Sequence, residues 1–116
     1  MFLFRNRISS NSSQQARAVD VHEALRHQAA GALLVDVREL DEWAAGHADG
    51  ACHVPLGQLA ARLGELPRER EILLICRSGR RSAQAAGVLL HAGHSPVTNV
   101  IGGMQAWART GLPTGR

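Results

Sequence analysis

Residues 72–82 read Ile72-Leu73-Leu74-Ile75-Cys76-Arg77-Ser78-Gly79-Arg80-Arg81-Ser82. Four apolar residues, β-branched at both ends, predict a short strand buried on both faces of a sheet. The strand delivers Cys76 to the head of a loop that carries three arginines, one glycine and no acid. From Arg80 onward a helical pattern begins. A ligand site in an open parallel sheet lies beyond the carboxyl ends of the strands, and that is where Cys76 falls. The loop amides and the helix start can face one spot and form an anion-binding nest. A thiol in such a field loses its proton easily, because the thiolate is the form that the field favours.

Working outward, the helix from Arg80 to His91 places Ala83, Ala86, Gly87 and Leu90 on one stripe, widened by Val88 and Leu89. Gly93 and Pro96 stop it. Val97–Ile101 is the next strand, and Gly102-Gly103 turns into a helix around Met104–Arg109. Upstream, Asp20 and Glu23 have capping-box spacing before a short helix that Gly31 closes. Leu33–Val37 forms the first buried strand and carries Asp36, Arg38 and Glu39 to its carboxyl end. Leu40–Ala45 makes one or two helical turns with Trp43 facing inward. Ala51–Val54 is a strand stopped by Pro55, and Gln58–Leu63 is helical. Strands alternating with helices at this spacing predict an α/β fold, with helices on both faces of a mostly parallel central sheet of about five strands.

The 116 residues suffice for one domain with its own core, expected over residues 18–116. Residues 1–17 read as a flexible tail. Their Arg-rich, Ser-rich, acid-free composition also matches an organelle transit peptide, but low hydrophobicity favours the tail. No stretch approaches the length of a membrane span. All thirteen basic residues are arginine. Arg5, Arg7 and Arg17 precede every acid, so from Ala18 onward ten arginines face ten acids. That balance leaves no broad basic face for nucleic acid. The two cysteines have neither metal-ligand nor secreted-disulfide spacing, so a reducing, cytoplasmic location without a metal or other cofactor is expected.

The loop Cys76-Arg77-Ser78-Gly79-Arg80-Arg81 resembles the active-site loop of the rhodanese family, sulfurtransferases that carry sulfur as a cysteine persulfide. Three further motifs share the resemblance in the right order: Asp36-Val37-Arg38-Glu39; Gly46-His47-Ala48-Asp49-Gly50-Ala51 with Pro55-Leu56; and Val100-Ile101-Gly102-Gly103-Met104 with Trp107. The resemblance implies a rhodanese-like fold and Cys76 as the nucleophile. It implies Arg77, Ser78, Gly79, Arg80, Arg81 and Ser82 as the substrate-binding loop. Asp36 and Arg38 take supporting places. Arg77 after the cysteine points to thiosulfate, since the mercaptopyruvate-type loop has glycine there. The implied partners are a small-molecule sulfur donor and a thiol or cyanide acceptor, with a protein acceptor possible.

Three questions stay open at this stage. Arg81 serves either the substrate or a structural partner, Asp36 or Glu39. Cys52 is either a Val-like filler, the favoured reading, or a resolving thiol for Cys76. The activity itself has rivals: a persulfide carrier that docks to a partner protein, and the cysteine-dependent phosphatases and arsenate reductases. Phosphate-cleaving loops put five residues between cysteine and arginine, which here lands on Ser82. Arg81 has four between, a narrower cradle that suits a sulfur atom better than a phosphoryl group. His53, His94 and the tryptophans suggest no metal site, and Trp43 and Trp107 are expected in the core.

Overall fold

The computed structural model describes residues 15–116. Most of the expected tail, over residues 1–14, lies outside the described residues. Five strands form one parallel sheet: β1 (Arg17–Val19), β2 (Leu33–Asp36), β4 (Cys52–His53), β5 (Ile72–Ile75) and β6 (Val97–Val100), in the order β1-β6-β5-β2-β4. Two short strands, β3 (His47–Ala48) and β7 (Thr114–Gly115), pair antiparallel beside it. The helices are α1 (Val21–Ala29), α2 (Leu40–Ala45), α3 (Leu56–Leu59), α4 (Arg80–His91) and α5 (Gly103–Arg109), and a 3₁₀ segment, Ala60–Glu65, follows α3.

β5 sits at the centre, in register with β2 (Leu33 opposite Ile72) and with β6 (Ile72 opposite Val97). All four of its side chains are fully buried. Their alternation divides the core in two, because successive strand residues face opposite sides. Ile72, Leu74 and Cys76 pack with Ala85, Ala86 and Leu89 of α4 and with Leu59 and Leu66. Leu73 and Ile75 pack with Val21 and Ala24 of α1 and with Met104 and Trp107 of α5. Burying each large side chain contributes roughly 1.5–3 kcal/mol. The strand that presents Cys76 is therefore the best anchored in the sheet.

The predicted helix over Arg80–His91 forms with those bounds, but its buried stripe is Ser82, Ala85, Ala86 and Leu89. Ala83 and Gly87, expected inward, are exposed. The stripe was misplaced because Ser82 counts as polar in a hydrophobicity pattern, whereas its hydroxyl is satisfied inside the protein. Asp20 caps α1 as expected, accepting from the Glu23 amide at 2.9 Å. β1 was not anticipated: it is a three-residue edge strand in which Arg17 pairs with Thr98. Trp107 is fully buried and donates through Nε1 to the Pro113 carbonyl at 2.9 Å. Trp43 departs from expectation: it is only half-buried, stacked with His47 (centroids 3.5 Å apart) and with His53 (4.8 Å). Its helix is too short to press a large ring into either core cluster.

Candidate active site

The loop after β5 is shaped from outside. The amides of Met104 and Gln105, at the start of α5, donate to the carbonyls of Cys76 (2.7 Å) and Arg77 (3.0 Å). With its carbonyls held outward, the loop turns its own amides toward the sulfur. Gly103 makes this approach possible. It has φ +53, and a Cβ there would press on the Cys76 carbonyl oxygen and lie 2.6 Å from that of Arg77. Gly79, at φ +113, completes the turn, a conformation that side-chain-bearing residues rarely adopt.

Cys76 is 1% exposed. Its Sγ accepts from the Gly79 amide at 3.1 Å and lies 3.3 Å from Ser82 Oγ. Burial alone pushes the thiol's pKa up, and no other single influence is as large. The Ser82 hydroxyl and the amides of Ser82, Gly79 and Ser78 together outweigh it, so the thiol lies below its ordinary range. The guanidinium groups of Arg77, Arg80 and Arg81 are not among the main causes. The nest expected from the sequence thus acts through its amides and one hydroxyl.

The arginines divide by partner. Arg81 is gripped by Glu42 of α2 through two bonds, at 2.7 and 2.9 Å. Its structural partner is thus neither Asp36 nor Glu39. The Arg81 hydrogen bond is the main influence holding the Glu42 carboxyl at about 2; burial opposes it, and the Glu39 amide and the charges of Arg81 and Arg38 add to it. Arg77 and Arg80 are exposed and form no ion pair among the described residues. They border a groove with Ser78, Ala83 and Gln84. A second groove, of about 530 Å³, lies between Arg77, Met104, Gln105 and Gly46.

Asp36 is fully buried and holds the Arg38 guanidinium, with Nη2 at 2.8 Å from Oδ2, while the same Nη2 donates to the Gly46 carbonyl at 2.8 Å. The pair ties the end of β2 to the turn before β3. Cys52 stands opposite Val35, which stands opposite Leu74. Two inter-strand steps plus two residues along β5 separate its Cα from that of Cys76 by roughly 12 Å, well beyond disulfide reach. The filler reading prevails over the resolving thiol, and burial pushes the Cys52 thiol's pKa up. His53 donates through Nε2 to the Arg38 carbonyl at 2.7 Å, and His94 is buried with Nε2 3.3 Å from the Leu66 carbonyl. No group of three or more metal-ligating side chains gathers among the described residues.

Sequence reasoning missed two residues of the site. Asn99 of β6 donates through Nδ2 to the Gly79 carbonyl at 3.3 Å and accepts from Ser82 Oγ at 2.5 Å. A polar residue within an apolar strand was its signal. Glu42 accepts from the Glu39 amide at 2.9 Å, so its spacing from Glu39 marks a helix start but hides the reach to Arg81.

A thiol at the head of a parallel strand, met by loop amides and followed by a helix, marks the candidate site of this α/β protein. The chain belongs to the rhodanese-like domain family, which matches residues 19–110. A sulfurtransferase of Allochromatium vinosum is 39% identical over 108 residues, covering 93% of this chain and 92% of its own length. A chloroplastic thiosulfate sulfurtransferase of Arabidopsis thaliana is 38% identical over 100 residues, covering 73% of this chain and 81% of that protein. The crystal structure of a rhodanese-related protein from Thermoplasma volcanium superimposes with a TM-score of 0.78 at 28% identity, covering 85% of this chain and 97% of that one.

Proposed function

We propose that this protein is a thiosulfate sulfurtransferase that works by double displacement through a Cys76 persulfide. The Cys76 thiolate attacks the sulfane sulfur of thiosulfate. As the new sulfur–sulfur bond forms, the bond to the sulfonate breaks and sulfite leaves with its electron pair. Cyanide or a thiolate then attacks the outer sulfur, and the Cys76 thiolate is regenerated. Arg77 and Arg80 hold the sulfonate oxygens, and the amides of the loop stabilise the anionic persulfide. Arg81, held by Glu42, braces the loop and does not meet the donor. Asp36 and Arg38 support the neighbouring turn.

One observation carries this reading: the Cys76 sulfur accepts from a loop amide while Arg77 and Arg80 of the same loop stand exposed with no carboxylate partner among the described residues. The name of the Allochromatium relative agrees with sulfur transfer, and that of the Arabidopsis relative with thiosulfate as donor. The four-residue spacing to Arg81, and the capture of that arginine by Glu42, speak against a phosphatase, which needs a guanidinium to close a wider ring. The test is turnover with thiosulfate and cyanide, run beside hydrolysis of an aryl phosphate. Thiocyanate should accumulate and the phosphate ester should survive. Cleavage of the ester without thiocyanate would replace this reading with the phosphatase one.

A further inference from the structure

Ser82 has one hydroxyl proton, and both Asn99 Oδ1 and the Cys76 sulfur lie within its reach. The Gly79 carbonyl can only accept, so Asn99 must turn Nδ2 toward it, and that leaves Oδ1 facing Ser82. Ser82 Oγ lies 2.5 Å from Oδ1 and must donate. A hydroxyl has one proton to give. With that proton spent on Asn99, Ser82 can only accept from the Cys76 thiol, 3.3 Å away. Once the thiol ionises, the sulfur becomes an acceptor, and Ser82 must swing its hydrogen from Asn99 to the sulfur to serve it.

We propose that Asn99 is a positioning residue that competes with Cys76 for the Ser82 hydroxyl proton and thereby sets how readily the nucleophile ionises. Asn99 is well placed for this because its other end is fixed on the loop at Gly79, so the amide cannot rotate away without losing that bond. In the resting thiol the chain runs Cys76 to Ser82 to Asn99, and the thiol and hydroxyl hydrogens each have an acceptor. On ionisation the Ser82 proton turns round, and Asn99 Oδ1 gives up its donor. The charged groups around the trio are otherwise settled. Arg81 at the head of α4 acts on Cys76 by charge but is bound to Glu42 of α2. Arg77 and Arg80 are exposed. Asp36 and Arg38 at the end of β2 neutralise each other. α5 contributes Gly103 and Met104.

The inference rests on Cys76 being the nucleophile. Alkylation reads that thiol with no sulfur donor present, so this inference and the thiosulfate assignment fail separately. The experiment follows iodoacetamide alkylation of Cys76 against pH in the full chain, with peptide mass separating Cys76 from Cys52. Asn99→Ala should lower the midpoint by roughly 0.4–1.1 pH units, the equivalent of one ordinary hydrogen bond released to the thiolate. Asn99→Asp, which keeps the side chain's shape and carries the test if the alanine variant does not fold, should raise the midpoint by about one unit or more. In a Ser82→Ala background the alanine shift should vanish and less than half of the aspartate shift should remain. A merely structural Asn99 would loosen the loop, raise the midpoint in both variants, and do so equally without Ser82. Either of those results overturns the proposal.

Discussion

Cys76 and Cys52 pack against the same apolar cluster, yet their thiols move in opposite directions. Cys76 is the more deeply buried of the two, at 1% exposure, and on burial alone it should be the weaker acid. It is instead the stronger, because amides of Ser78, Gly79 and Ser82 and the Ser82 hydroxyl converge on its sulfur. Cys52 sits within β4, where burial outweighs the opposing pull of its own amide and of the charges of Arg62 and Arg70. Thiol acidity here follows where the backbone points, and the backbone points inward because α5 holds the loop's carbonyls from the other side.

The surest way to erase the difference is to push α5 off the loop. Gly103→Ala places a methyl group against two loop carbonyls at a positive φ. It should cost on the order of 3 kcal/mol in a denaturant melt and raise the Cys76 alkylation midpoint toward that of Cys52. A stable variant with an unchanged midpoint would show that the loop does not depend on α5. Arg77→Ala removes a charge-assisted contact to the donor but leaves the amide ring intact. Affinity for thiosulfate should fall roughly tenfold to a hundredfold, equivalent to about 1.5–3 kcal/mol, with a smaller effect on transfer from an uncharged persulfide. Equal losses with both donors would mean that the loop has collapsed.

The smallest effect belongs to Glu42. Its carboxyl is held at about 2, below the ordinary 4.5, so the Arg81 pair stabilises the fold above pH 4.5 and loses that contribution as pH falls toward 2. Both side chains are partly exposed, which limits the contribution to about 1 kcal/mol or less. Thermal midpoints of the protein and of Glu42→Gln should therefore differ at pH 6 and converge near pH 2. A constant gap would assign the difference to packing.

The fold was legible because β5 and its neighbours repeat a simple pattern. Buried four-residue runs alternate with helices, and Gly31, Gly79 and Gly93 punctuate them where φ is positive. Cys76 was legible for the same reason, at the end of the most apolar run. What stayed hidden was polar and long-range. Ser82 reads as one more residue of the binding loop until Asn99, seventeen residues on, is seen to accept from its hydroxyl. Arg81 stays open between substrate and structural partner until Glu42, thirty-nine residues away, is found holding it. β1, β3 and β7 are two or three residues long, too short for any alternation to register.

The central claim is that Cys76, and not Cys52, carries sulfur. Intact mass after mixing with thiosulfate, followed by peptide mapping, tests it most directly. One sulfur atom should be added, on the peptide that holds Cys76. The addition should persist in Cys52→Ser, disappear in Cys76→Ser and be removed by cyanide. A Cys76→Ser protein that still gains the sulfur would contradict the account.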